Sequence, residues 1–291
     1  MHRRRTTAPR ISLLLALAAL CAAAASAAAP VPQPIVFPLV GTTQLTNSWG
    51  DPRGGGRHAG EDIMAPRRAA VVAAEAGRVR WHTTSARAGC MLYLYGASGT
   101  TYLYIHLNND RTLRNDNQGG CTKGIAYAVR DGARVEAGEQ IAWNGDSGDA
   151  DGNPHLQFEV HPNDGDDVDP YPYLVSATRH LFPARVGRKA TVAVRGSVLA
   201  AGGGVLDVEA TSVRWWPNGR WTKIDPFPVR FSLTGDAVVD PALADLVSGA
   251  APRTLGVEKR LVRVVSSAAP ATPEALRGAG EGLVASRVTL P

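Results

Sequence analysis

Residues 57–66 read RHAGEDIMAP and residues 154–160 read PHLQFEV. In extended backbone successive side chains alternate between faces, so His58 and Asp62, four apart, lie on the same side of their segment. The same alternation puts His155 and Gln157, two apart, on one face. A third run, YLYIHL at 102–107, has similar strand texture and carries His106. A histidine and a carboxylate from one segment, with imidazoles from other strands, make up a catalytic zinc site, in which three protein ligands leave a position for water. Singly, each histidine reads as a surface or core residue. Together with Asp62 in one domain they read as a site.

Around these segments the texture is mainly β. The chain has 291 residues, 44% hydrophobic and 20% charged, which excludes a disordered protein, and 31 Gly and 20 Pro against 6% aromatic residues favour many short strands. Apolar runs at 70–73, 91–95, 101–107 and 155–160 alternate with Gly, Asn and Asp clusters. No amphipathic stretch of twelve or more residues appears among them, which disfavours a parallel sheet with crossover helices. After Phe182-Pro183 a second β-rich unit is expected over 184–291, with strands at 191–199, 205–215, 221–224, 229–233 and 261–265. Pro217-Asn218-Gly219 reads as its turn, and Thr272-Pro273-Glu274 as the start of one short helix ending near Gly278 or Gly280. Trp215, Trp216 and Trp221 flank that turn, where packing is favoured over a sugar-stacking platform.

Residues 1–27 read as a secretory signal peptide: a basic start, the apolar run ISLLLALAA at 11–19, and Ala25-Ser26-Ala27 at a cleavage position. The rival is an uncleaved anchor, but the second half of the run is Ala and Ser and gains little from lipid. A Pro-rich tether, AAPVPQPI, follows at 28–35. The formal charge of +5 misleads, because without the leader 27 basic residues face 26 acidic ones. No nucleic-acid partner is expected, and no stable membrane span after cleavage. An exported chain keeps two cysteines, Cys90 and Cys121, expected to pair; closing a loop of about 30 residues contributes roughly 3–4 kcal/mol. A cysteine metal site lacks the paired spacing.

Over about 36–178 the chain resembles the M23 family of zinc endopeptidases, the lysostaphin and LytM type that cut peptidoglycan peptides. The resemblance is carried by FPLVG at 37–41, the His58-x-x-x-Asp62 pair followed by Ile63 and Ala65-Pro66, AAEAGRV at 73–79, the segment 104–107, VEAGEQIAWNGDSG at 135–148, and VDPYPYL at 168–174. It implies a compact antiparallel β-sheet domain with a groove, in which His58 and Asp62 ligate Zn2+. His106 and His155 would then be the catalytic pair that orients and deprotonates water and stabilises the tetrahedral intermediate. Bacterial peptidoglycan peptides would be the substrate, and the location secreted or in the cell envelope.

The chain departs from the family at Gln157, where a second histidine of a His-x-His motif serves as third zinc ligand. A Gln amide oxygen is a neutral and weaker donor to zinc than an imidazole nitrogen. His161 shares the strand parity of Gln157 but lies roughly 13 Å along an extended strand, too far to replace it. Two readings follow: a secreted zinc metalloendopeptidase with Gln157 or a second water completing a weakened site, or a non-catalytic wall-binding or regulatory module that keeps the groove without the metal.

Overall fold

The computed structural model describes residues 32, 34–83, 85–180, 189–215, 220–254, 261–270, 276–277, 279 and 283–291. The leader, the turn at 217–219 and most of the helix expected at 272–280 lie outside the described residues; Leu276 and Arg277 of that helix are helical. The first half consists of β1 (Gln44–Leu45), β2 (Pro52–Arg53), β3 (Gly56–Arg57), β4 (Glu61–Met64), β5 (Ala70–Val72), β6 (Gly77–His82), β7 (Cys90–Gly96), β8 (Thr101–Leu107), β9 (Arg134–Val135), β10 (Gln140–Trp143) and β11 (His155–His161), with a short helix α1 (Tyr171–Val175). Seven of these strands form one antiparallel sheet in the order β1-β4-β11-β8-β7-β6-β9, while β5 pairs with β10 and β2 with β3.

Period-two alternation builds this sheet. Tyr102 and Tyr104 of β8 and Leu156, Phe158 and Val160 of β11 are fully buried on one face, against Ile35, Phe37 and Leu39. The other face is left for the polar residues between them. Register places Gln157 opposite both Asp62 of β4 and Ile105 of β8. Cys90 and Cys121 form the expected disulfide.

The second half contains β12 (Lys189–Gly202), β13 (Val205–Trp215), β14 (Thr222–Val239), α2 (Ala244–Val247), β15 (Arg253–Thr254), β16 (Leu261–Pro270) and β17 (Leu283–Thr289). Its strand order β13-β14-β17-β16-β12, closed by a β12–β13 pairing and with β14 and β17 parallel, is that of an OB-type Greek-key barrel. The barrel has its own core, centred on Val192, Leu206, Phe231, Val262 and Val288. The runs read at 221–224 and 229–233 are one strand, β14. Pro226 and Pro228 lie within it, exposed and before β14 meets β17 at Phe231, so their missing N–H groups interrupt no ladder on that side.

One carboxylate of the sheet half gathers three guanidiniums of the barrel. Glu136, just after β9, accepts from Arg195 at 2.8 Å and Arg214 at 3.1 Å, and pairs with Arg263 at 3.1 Å. Arg195 also stacks 3.9 Å over the ring of Trp221, which packs against Ala193 and Val265. Trp221 is therefore a packing residue at this junction. His180 is buried against Gly138, whose φ of +79° and contact with the imidazole leave no room for a side chain.

Removing the disulfide by Cys121→Ser should lower unfolding free energy by about 4 kcal/mol, the chain-entropy value for a loop closed across 31 residues. Urea unfolding with and without reductant measures it. Burial first, and Arg287 second, push the His180 imidazole down to about 3 from its ordinary 6.5. The unfolded chain takes up that proton near 6.5, so the stability from keeping the ring neutral is complete above that pH and drains below it. Between pH 6.5 and 5 the loss should be about 2 kcal/mol, and His180→Leu should flatten that slope.

Candidate functional site

Glu61 opens β4 with its carboxylate wholly buried. It accepts the main-chain N–H groups of Thr46, Asn47 and Ser48 at 2.6, 2.6 and 2.8 Å. Asn47 has a left-handed backbone, φ 54°, as fits three successive amides converging on one anion. Ser48, fixed in this way, holds both site residues of the next segment. Its carbonyl accepts from His58 Nδ1 at 3.0 Å, and its hydroxyl accepts the Asp62 N–H at 3.0 Å.

His106 reaches the same cleft by a different route. In β8, Tyr102 and Tyr104 point into the core, and strict alternation would send His106 after them. The β7–β8 ladder slips between Cys90 and Leu92, and His106 adopts φ 63°. Such an irregularity re-aims a side chain, here leaving Leu107 to fill the core while His106 turns to the cleft. Its Nδ1 lies 2.9 Å from the Ser147 carbonyl, and His155 Nδ1 lies 2.8 Å from the Asn153 carbonyl.

A carbonyl oxygen can only accept, so Nδ1 carries the proton in all three imidazoles and each presents an Nε2 lone pair. Carbonyls that hold Nδ1 in this way orient metal-ligating histidines. His58 Nε2 lies 3.1 Å from Asp62 Oδ1, and His155 Nε2 lies 3.6 Å from the same oxygen. His58 Nε2 and Asp62 Oδ1 are both buried without a hydrogen-bond partner. Two acceptors so placed require a cation between them, a proton or a metal. Burial works against a charged His58, but Asp62 and the Ser48 carbonyl outweigh it and raise its pKa. Burial would raise Asp62, yet His58, His155 and Arg53 hold it low. His106 is pushed down by burial and then by His155, and is therefore neutral.

The cleft has a volume of about 400 Å3 and is lined among others by Arg53, His58, Asp62, Arg87, His106, Asp149, His155 and Gln157. The predicted site residues are thus brought together. Gln157 faces the cleft, but its Nε2 donates to Glu159 Oε1 at 2.7 Å, and Glu159 also meets His161 Nε2 at 3.0 Å. Sequence reasoning did not find Arg53, whose Nη2 bonds Asp62 Oδ2 at 2.8 Å from the β2–β3 hairpin, nor Ser48 and Glu61. Among the described residues no three or more His, Cys, Asp or Glu side chains already form a complete metal-binding group. His58 Nε2 and Asp62 Oδ1 converge without a hydrogen-bond partner, while the second Asp62 oxygen is held by Arg53.

No protein-family model and no curated protein matches the sequence. Solved structures do. The chain is similar to the catalytic domain of the antimicrobial peptidase lysostaphin from Staphylococcus simulans, at 26% identity over 45% of this chain and 92% of that one, with a TM-score of 0.36. It is also similar to a zinc-containing peptidase from Vibrio cholerae, at 25% identity over 47% of this chain and 39% of that one, TM-score 0.36. A point mutant of the catalytic domain of the prophage-encoded M23 protein EnpA from Enterococcus faecalis matches at 23% identity over 48% of this chain and 95% of that one, TM-score 0.33.

Glu61→Ala should destabilise the protein by about 2–3 kcal/mol, because the buried Ser48 amide loses its acceptor at roughly 1–3 kcal/mol and the part-buried Thr46 and Asn47 amides lose theirs at less. Ser48→Ala, which removes a single acceptor, should cost about 1 kcal/mol. Chemical denaturation of both variants checks this; a Glu61→Ala cost no larger than that of Ser48→Ala would mean that other contacts hold the 46–48 loop.

Proposed function

We propose that this chain is a secreted M23-type zinc endopeptidase that hydrolyses peptide cross-links or stems of bacterial peptidoglycan, exported by its N-terminal signal. The observation that carries the reading is the common orientation of three imidazoles. His58, His106 and His155 each tie Nδ1 to a backbone carbonyl and turn Nε2 into one cleft containing the Asp62 carboxylate. His161, outside the cleft, also ties Nδ1 to a carbonyl, that of Gly165, so it is the convergence of three such rings beside Asp62 that supports the reading. Among the described residues no helix is long and apolar enough to cross a membrane.

Zinc, when bound by His58 and Asp62, would supply Lewis acidity toward a peptide carbonyl and acidify water. The chain supplies the proton chemistry. His106 is neutral and has only Nε2 free, so it can take a proton from attacking water and return it to the leaving amine. Asp149 Oδ1, 3.8 Å from that nitrogen, steadies the imidazolium that forms. Rigid backbone anchors keep these atoms placed before substrate arrives.

The second reading, a wall-binding module without catalysis, is favoured by Gln157 and by Arg53, whose guanidinium already neutralises Asp62. One substitution separates the two. Gln157 stands directly opposite Asp62, so Gln157→His brings an imidazole beside the carboxylate. Zinc affinity should rise at least tenfold, about 1.4 kcal/mol. Release of peptides from purified peptidoglycan should rise with it from a measurable wild-type rate. If the variant loads with zinc yet neither protein cuts the wall, the module reading holds.

A further inference from the structure

We infer that the β6–β9 edge of the sheet is an anion-binding surface, built on Arg78, Arg80 and Arg134, that takes a phosphate-bearing polymer of the cell wall. That the polymer belongs to the wall rests on the reading above; that the surface takes a polyanion does not.

The fold gains nothing from the way these guanidiniums are placed. Arg78 of β6 stands directly opposite Arg134 of β9, and like charges set so across a ladder are destabilising. Arg80, two residues along β6, shares the face of Arg78, about 7 Å away. Val79 and Val135 turn into the core, so all three arginines point outward, and all three are exposed. A side chain built at Gly132, φ 71°, would begin 3.7 Å from Arg80 Nη1 and 4.0 Å from Arg78 Nη1, so both guanidiniums converge on this turn. Arg130, in the same turn, is exposed as well.

Little negative charge answers them. Asp131, the acidic residue of the turn, accepts the Trp81 N–H at 2.9 Å and pairs with Arg80 at 3.3 Å. Arg78 Nη1 donates to the Gly132 carbonyl at 2.9 Å. Glu136, two residues past Arg134, is taken by Arg195, Arg214 and Arg263 of the barrel. Four guanidiniums therefore meet one carboxylate, in a chain whose exported part is close to neutral. Guanidinium forks match phosphate oxygens, and cations about 5 Å apart across the ladder and 7 Å along it suit a chain of repeated charges better than a single ion. Tyr95 and Tyr93 stand opposite Arg78 and Arg80, and His82 stacks on Tyr93 at 3.7 Å, an aromatic row for the sugar or polyol between phosphates. The surface is separate from the cleft: β6 and β9 are the third and fourth strands beyond β11, and none of these arginines lines the cleft.

The test is binding of the full-length secreted protein to soluble inorganic polyphosphate, and to purified bacterial walls with and without acid removal of their phosphate polymers. The double variant Arg78→Gln, Arg134→Gln should bind polyphosphate and intact walls at least about tenfold more weakly, as expected for losing two phosphate contacts. Lys123→Gln with Lys223→Gln removes the same charge at exposed sites elsewhere and should stay within about threefold of wild type. Because the arginine variant relieves a repulsion, its thermal midpoint should not fall. Equal polyphosphate binding by wild type and the arginine variant overturns the surface. A wild type that holds stripped walls as tightly as intact ones, or prefers single-stranded DNA to polyphosphate, overturns the wall polymer as its partner. Peptide release from stripped peptidoglycan tests the peptidase reading separately: a wild type that binds polyphosphate through these arginines but cuts nothing loses that reading and keeps the anion-binding surface.

Discussion

The carboxylate of Glu61, sealed inside the protein and closed on three amides, is the contact on which the site depends. A buried charge is tolerated only when its hydrogen bonds are complete, and charge-assisted bonds of this kind are among the stronger ones in a protein. The loop at 46–48 contributes no large apolar side chain that could hold it by packing. Strand alternation makes the device compact: Glu61 points inward to grip the loop, while Asp62, the next residue, points outward into the cleft. Ser48 then returns the constraint to the strand through its carbonyl and its hydroxyl.

A second serine has a comparable role on the other wall. Ser147 accepts from His106 through its carbonyl, accepts the Cys90 N–H through its hydroxyl, and donates that hydroxyl to the Leu107 carbonyl at 2.6 Å. The disulfide therefore terminates beside the backbone that turns His106 into the cleft. Nearby, Arg67 binds the buried Asp110 and Asp146 and ties three loops together. Elsewhere, Glu136 collects three guanidiniums from the barrel. The cleft lining comes entirely from residues 53–157 among those described, so the barrel docks without covering it.

Most of the site is legible in the sequence because its residues sit on regular strands. His155 and Gln157 share a face by parity alone, and β13 has the bounds its alternation predicts. His106 enters the candidate set for the right chemistry but not by its parity, which points the wrong way; a positive φ and a slipped ladder leave no mark in a run such as YLYIHL. Ser48 and Glu61 are invisible for another reason: their roles lie in contacts between segments 13 residues apart, and serine and glutamate are common enough to carry no signal by themselves. Arg53 belongs to a two-residue strand, too short for periodicity. In the barrel, Pro226 and Pro228 read as a break because proline usually ends a ladder, and only the three-dimensional strand order shows that this side of β14 carries none there.

The backbone at His106 also sets how easily the site can be lost or regained in descent. A left-handed residue tolerates asparagine or glycine and resists branched side chains, so this position has few neutral neighbours and changes there carry a steric cost in addition to the chemical one. Gln157 stands in ordinary extended strand, where glutamine and histidine fit equally well and their codons differ only in the third base. A lineage can therefore drift across position 157 in either direction while its fold remains blind to the change. The two halves of the cleft age at different speeds, one locked by its main chain and the other open to reversal.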